Sequence, residues 1–213
     1  MDKRIFQVYI SGEESSSEAC ARLDLPASPW QLLDALDKAR FRDADSLYLE
    51  IDEYYDYEDL ANILPTVDLS LLELNDLAQR LSSLDARQRT AFEGILRMEM
   101  PKGDEEITVQ RLRDFTESVD CCHVVPEAKS VYQLGRFYAE NGFVPEIEDI
   151  SEQVFELLDF YLIGRRIQQE ECGIFTSQGY VVQNELFKEA PKITDTKPPV
   201  PDYTILLNVF RGT

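Results

Sequence analysis

The spacing of apolar and polar residues predicts a small α+β domain over residues 1–65. Residues 6–10 alternate between apolar and polar and predict a strand, and residues 46–51 predict a second strand. Between them, Ser28 and Pro29 are the residue types that begin a helix, as N-cap and first helical residue. The apolar stripe expected of this helix comprises Leu32, Leu33, Leu36 and Ala39.

Residues 66–118 predict a helical domain. Two helices are indicated over 69–97, a loop over 101–104, and a short helix that Thr108 caps and that runs through Phe115. The inner face predicted for the first of these helices comprises Leu69, Leu72, Leu77 and Leu81, with Leu74 at its edge.

Residues 119–184 predict a second α+β domain. One helix covers 131–139 and ends at the Asn-Gly pair 141–142, a pair that suits the end of a helix. Another helix begins at Ser151, and the segment 173–182 predicts a hairpin. The apolar residues of the helix after Ser151 are Val154, Phe155, Leu158, Tyr161 and Leu162.

The composition after residue 184 predicts a tail over 185–213. This segment is rich in Lys and Pro, as linkers are. Within it, residues 203–210 are apolar again and indicate an added strand or a docking segment. The expected fold class is therefore α+β, with three small domains and a C-terminal extension.

The charge of the chain limits its possible partners. Among 213 residues, 41 Asp and Glu stand against 21 Lys and Arg, which gives a net charge of −20. A nucleic-acid binder should carry a basic patch. The composition therefore argues against direct binding to DNA, RNA or an anionic membrane.

Three further observations indicate a cytoplasmic protein. No apolar run approaches the ~18 residues that a membrane span needs. The N-terminus lacks the long apolar region of a signal peptide. The four cysteines do not have the spacing of a disulfide framework.

Two segments without any Lys or Arg carry most of the excess charge. Residues 43–79 hold eleven acids and residues 137–164 hold seven. A protein made acidic for solubility should spread its acids, whereas a surface shaped for a basic partner concentrates them. The alternative is a solvated face without a partner. The residues predicted to contact a partner are Asp43, Asp45, Glu50, Asp52, Glu53, Asp56, Glu58, Asp59, Asp68, Glu73, Asp76, Glu146, Glu148, Asp149, Glu152, Glu156 and Asp159.

The second acidic segment predicts a stripe of carboxylates on the helix that begins at Ser151. Acids four residues apart on a helix lie about 6 Å apart along its axis, comparable with neighbouring phosphates of one DNA strand. Like charges at this spacing cost roughly 0.2–0.5 kcal/mol per pair, so folding alone does not favour such a stripe. Its expected members are Glu148, Glu152, Glu156 and Asp159.

Motifs for catalysis or cofactor binding are lacking. The chain has no Gly-rich phosphate loop and no nucleophile elbow, and its one histidine is His123. Cys121, Cys122 and His123 are adjacent, whereas zinc sites space their paired cysteines by two to four residues. The acidic segment 52–59 lacks the glycine of a calcium loop. No enzyme activity, metal or cofactor is expected; a hydrolase with paired carboxylates is the open alternative.

Several segments resemble, in order, the ArdA antirestriction proteins, which are acidic DNA mimics of plasmids and conjugative transposons. The resemblance covers roughly residues 6–183. The extra polar stretch 101–106 and the tail after about residue 185 have no counterpart. The segments that carry the resemblance are 7–10 (QVYI), 52–59 (DEYYDYED), 73–78 (ELNDLA), 131–138 (VYQLGRFY), 159–165 (DFYLIGR) and 173–175 (GIF).

The resemblance implies an elongated, curved molecule of three domains and a homodimer joined through the C-terminal domain. It also implies an acidic surface that imitates bent B-DNA and occupies the DNA-binding subunits of Type I restriction–modification enzymes. Glu73 and Asp76 carry over as candidate contacts, because 73–78 falls where the family's proposed antirestriction motif lies. The alternative is an acidic adaptor or scaffold that docks another basic DNA-binding or regulatory protein.

Overall fold

Helices and two small antiparallel sheets make up the fold, which confirms the mixed α+β class. The described residues group into two compact units, the first mainly residues up to Ser83 and the second between Leu84 and Ala190. Among the described residues, no helix is long and apolar enough to cross a membrane. The computed structural model describes residues 3–11, 19–40, 47–64, 70–99, 107–147 and 150–191.

The first unit is built on a three-stranded antiparallel sheet. Its strands are β1 (Phe6–Ser11), β2 (Cys20–Leu25) and β3 (Tyr48–Tyr54), in the order β2-β1-β3. Helix α1 (Pro29–Lys38) packs against β1 and β2. Because side chains alternate between the two faces of a strand, one face of the sheet is buried. Its buried residues are Phe6, Val8, Ile10, Ala21, Leu23 and Leu25.

The predicted start of α1 is confirmed. The Ser28 hydroxyl accepts a hydrogen bond from the Gln31 N–H at 3.4 Å, and the Gln31 side chain accepts one from the Ser28 N–H at 2.8 Å. The two bonds form a capping box, which satisfies donors that a helix start leaves open. Pro29 occupies the first turn, as expected.

The strands of the first unit differ from the prediction in two ways. β3 extends three residues beyond the predicted strand, because its pairing with β1 continues until Tyr54 lies opposite Phe6. β2 was not predicted, although the apolar residues of its sequence CARLDL alternate. The charged residues Arg22 and Asp24 between its apolar residues weaken the strand signal.

Helix α2 (Leu71–Ser83) also belongs to the first unit, after a 3₁₀ turn at Glu58–Asn62, and so do residues 107–110. The predicted helix is confirmed, but its inner face was misplaced. Leu74, expected at the edge, is fully buried, and Leu72 is only half-buried. Leu69 lies outside the described residues. The buried face comprises Leu71, Leu74, Asn75, Leu77, Ala78 and Leu81.

The second unit also contains a three-stranded antiparallel sheet. Its strands are β4 (Cys122–Val125), β5 (Ile174–Thr176) and β6 (Gly179–Gln183), in the order β4-β6-β5. The β5–β6 hairpin is confirmed, and β4 was not predicted. Helix α3 (Ala86–Glu99) packs on this sheet. The shorter α4 (Val109–Glu117) follows it along the chain, as predicted.

Two helices of the second unit approach each other at their backbones. They are α5 (Val131–Glu140) and α7 (Phe160–Glu171). A Cβ at Gly135 would collide with the carbonyl oxygen of Phe160, and one at Gly164 would collide with that of Val131. Close packing of this kind requires glycine on both helices. The predicted end of α5 is confirmed: Asn141 is its C-cap, and Gly142 follows with a φ of 71°.

The helix predicted to begin at Ser151 is wrong in its length. Helix α6 (Glu152–Phe155) is a single turn, and a new helix, α7, starts at Phe160. Asp159 caps α7, because its carboxylate accepts hydrogen bonds from the N–H groups of Tyr161 and Leu162 at 3.0 and 3.1 Å. The apolar spacing continues through this break, so periodicity alone did not locate it.

The first residues of the predicted tail pack on the second unit. The N–H of Asn184 donates to the Cys121 carbonyl at 2.9 Å. The N–H of Lys188 donates to the Ser118 hydroxyl at 2.9 Å, and the N–H of Ala190 donates to the Asp114 carboxylate at 2.8 Å. The predicted loop at 101–104, the rest of the tail and its apolar run at 203–210 lie outside the described residues.

Candidate partner-binding surface

The described acids of the first acidic segment lie on the edge strand β3, on the turn that follows it and on α2. β3 is at the edge of its sheet and carries exposed Glu50, Asp52 and Glu53. Glu58 and Asp59 are exposed on the 3₁₀ turn. The structure therefore brings these predicted acids together on one unit.

Basic residues from outside the segment pair with some of its acids. Arg22 on β2 binds Asp52 with an N···O distance of 2.9 Å, and Lys3 pairs with Asp56. The first pair forms because Arg22 reaches from β2 across the central strand β1 to β3, and the second because the chain before β1 lies near the end of β3. A stretch without Lys or Arg in sequence is thus partly neutralised in space, which the sequence interpretation did not anticipate.

The two residues singled out by the ArdA resemblance differ in their surroundings. Asp76 is half-buried and pairs with Arg80 one turn later on α2, at 2.7 Å. Glu73 is half-buried in the first turn of α2, where a negative charge is favourable. Asp76 is therefore the less available of the two for a partner.

Asn75, between those two acids, has a structural role. Its side-chain oxygen accepts from the Ala27 N–H at 2.7 Å, and its amide donates to the Ala27 carbonyl at 3.1 Å. Asn75 and Ala27 are both buried. The 73–78 segment thus holds the loop before α1 in place.

We expect Asn75→Ala to destabilise the first unit by about 2–3 kcal/mol, because two buried backbone groups of Ala27 lose their partner. The shift is measured as urea unfolding followed by circular dichroism, with amide exchange at Ala27 to assign the loss to the first unit. Glu73→Gln is the matched control on the same helix and should change stability by less than about 0.5 kcal/mol. Equal unfolding midpoints for the two variants would contradict this role.

The predicted carboxylate stripe of the second acidic segment is wrong. It requires one continuous helix, but α6 ends before Glu156, and Asp159 caps α7 instead of projecting from the same helix. Glu152 and Glu156 are both exposed beside this break. Glu146 pairs with Arg166 at 3.1 Å. A hydrogen bond to its own backbone and this arginine lower the pKa of Glu146.

Five of the predicted contact residues lie outside the described parts of the chain. The surface described above therefore does not include them. They are Asp43, Asp45, Asp68, Glu148 and Asp149.

The tyrosines near the first acidic segment divide into core and surface residues. Tyr57 is buried, and its hydroxyl donates to the Leu81 carbonyl at 3.0 Å. Tyr54 packs edge-on against Phe6, and burial raises its pKa.

Tyr48, by contrast, is half-buried and donates to the Glu50 carboxylate at 3.1 Å. A hydrogen bond to Glu53 raises the pKa of Tyr55. Two tyrosines therefore position carboxylates of β3.

The two adjacent cysteines of the second unit are shielded from solvent. Cys121 and Cys122 are both buried. Burial raises the pKa of Cys122 to about 11, which keeps its thiol protonated at neutral pH. No group of three or more His, Cys, Asp or Glu side chains that could hold a metal ion occurs among the residues searched.

Sequence reasoning missed an exposed apolar surface on the second unit. It lies on and around α6 and the first turn of α7, next to the acids Glu152 and Glu156. The sequence prediction places three of these side chains, Val154, Tyr161 and Leu162, on the apolar face of one helix and does not include Leu157. Their exposed fractions are Val154 47%, Leu157 84%, Tyr161 51% and Leu162 61%.

Neither a protein-family model nor a curated protein matches this chain. The geometry of the two units and the resemblance of the sequence segments are therefore the grounds for a functional proposal.

Proposed function

We propose that this chain is an antirestriction protein of the ArdA type. In this proposal its acidic surface imitates DNA and occupies the DNA-binding site of a Type I restriction–modification enzyme, without catalysing a reaction. The observation that carries the proposal is the group of exposed carboxylates at the end of the first unit's sheet, on β3 and the following 3₁₀ turn.

The spacing of these carboxylates suits a DNA-binding cleft. Alternate residues of a strand lie roughly 6–7 Å apart. Glu50 and Glu53 lie opposite Tyr9 and Gln7, two alternate residues of β1, so they present charges at about the interval of phosphates along one DNA strand. Duplex DNA carries one charge per ~1.7 Å of axis. A cleft that attracts such a polymer attracts a folded acidic surface by the same long-range field.

The proposal includes a homodimer formed through the C-terminal part of the chain. The exposed apolar surface around α6 and α7 supports it, because contiguous apolar surface is typical of an interaction site. The elongated arrangement of three domains, 1–65, 66–118 and 119–184, and a cytoplasmic location also belong to the proposal. Sedimentation measures the mass, and small-angle scattering measures the shape.

A cleavage assay with a purified Type I enzyme tests the function. We expect inhibition to be competitive, so the concentration for half-inhibition should rise in proportion to added non-cleavable DNA that carries the enzyme's site. Direct binding to the enzyme should weaken at least about tenfold between 0.1 and 0.5 M salt, because screening shortens the reach of charges. Inhibition that added DNA does not relieve would contradict the mimic.

A further inference from the structure

The first unit's sheet has one buried face, against which α1 packs, and an opposite face that α1 does not cover. On the uncovered face, the antiparallel register places Arg22, Tyr9 and Glu50 in one row across β2, β1 and β3. Tyr48 lies diagonally from Tyr9, and the two rings meet edge to face with centroids 6.3 Å apart. Tyr9 and Tyr48 are half-buried, while Arg22 and Glu50 are exposed.

Carboxylates surround these rings. Glu50 is held by the Tyr48 hydroxyl at 3.1 Å, and Asp52 lies at the irregularity of β3, where the pairing with β1 shifts. Glu53 returns to the same face, opposite Gln7. Negative charge and aromatic rings are thus adjacent on this sheet face.

The chain itself places a guanidinium on this face. Arg22 lies opposite Tyr9, and its Nε is 2.9 Å from the Asp52 carboxylate, while its side chain stays 70% exposed. The pair leaves Glu50 and Glu53 outside any ion pair in the described part of the chain. The face therefore keeps a negative excess that a partner's cation can satisfy.

Arginine fits this combination better than lysine does. A guanidinium stacks on aromatic rings and binds a carboxylate through two parallel hydrogen bonds, whereas an ammonium is a strongly hydrated point charge. The carboxylates favour arginine through this geometry, and the tyrosine rings add a stacking contact that increases the preference.

We infer that the uncovered sheet face is an arginine subsite, which binds an arginine side chain of the basic partner. In the free protein, Arg22 competes for the same carboxylates. This inference rests on the proposed function for the identity of the partner, but its chemistry is tested separately.

The test uses two blocked peptides with four cationic residues separated by glycines, one with arginines and one with lysines. Affinities for the full chain are measured by calorimetry in 0.05 M salt. We expect the arginine peptide to bind about two- to fivefold more tightly, the range for one exposed cation–π contact. Because one ring contact is lost while Tyr9 and the carboxylates remain, Tyr48→Thr should lower this ratio without weakening the lysine peptide, and Tyr48→Phe should keep the ratio.

A second variant is independent of the aromatic residues. Arg22→Gln removes the internal competitor and should tighten both peptides by about two- to fivefold. Equal binding of the two peptides by the unaltered chain would overturn the subsite, as would a ratio that Tyr48→Thr leaves unchanged in a folded variant. Weaker binding by Arg22→Gln would overturn the role of Arg22.

The two proposals fail in different ways. A chain that prefers the arginine peptide but does not inhibit restriction keeps the subsite and loses the antirestriction function. A chain that inhibits restriction competitively but binds both peptides equally keeps the function and loses the subsite.

Discussion

Neutralising four exposed acids of the first unit should raise the concentration for half-inhibition of a Type I enzyme by about 10²–10³-fold. The substitutions are Glu50→Gln, Asp52→Asn, Glu53→Gln and Glu58→Gln, all at exposed positions. A charge contact at 4 Å contributes about 1 kcal/mol in water, so four together approach 4 kcal/mol, which corresponds to this range.

The control removes the same charge from elsewhere. Asp34→Asn, Glu127→Gln, Glu185→Gln and Glu189→Gln are exposed and lie outside both acidic segments. If location matters more than net charge, this variant should lose less than about tenfold in potency. Glu152→Gln alone should leave inhibition nearly intact, because the charge is distributed. Full potency in the folded four-site variant of the first unit would contradict DNA mimicry.

Local sequence signals predicted the elements that depend on neighbouring residues. The cap of α1 at Ser28, the end of α5 at Asn141 and Gly142, and the β5–β6 hairpin all follow from contacts a few residues apart. Such signals describe the backbone directly, since capping and turn residues satisfy nearby N–H and carbonyl groups.

The break between α6 and α7 could not be read from periodicity. Val154, Leu158 and Leu162 keep helical spacing across the break. The start of the new helix is instead set by the Asp159 carboxylate, which accepts hydrogen bonds from two N–H groups in the first turn of α7. Asp159 was instead assigned to a stripe of acids. An aspartate before an apolar run is also a helix-start signal, and Asp159 has this role at the start of α7.

The sequence predicted that the candidate surface is acidic, but it did not predict which of its carboxylates form ion pairs. The acids of β3 are exposed, as a concentrated acidic segment suggests. Their pairing depends on strand register, since Arg22 and Asp52 are thirty residues apart in sequence and meet only across the sheet. Tyr9 was not predicted as a site residue for the same reason. It lies in one row with Arg22 and Glu50 only in the folded sheet.

Gly164→Ala should destabilise the second unit by about 3 kcal/mol, at the upper end of the range for overpacked cores. The added methyl group would collide with the Val131 carbonyl oxygen and approach the Gly135 N–H, and backbone yields less than a side chain does. Separation of α5 from α7 would also weaken their core, which includes Leu134 and Ile167.

The matched control is Gly142→Ala, where an added Cβ meets nothing within 4 Å but the φ of 71° disfavours alanine. It should cost only about 1 kcal/mol, the price of the left-handed backbone alone. Urea unfolding by circular dichroism measures both losses, and amide exchange along α5 and α7 locates them. Because steric collision adds to any loss from glycine itself, equal losses in the two variants would mean that α5 and α7 move apart freely. The close backbone approach would then not be what stabilises the second unit.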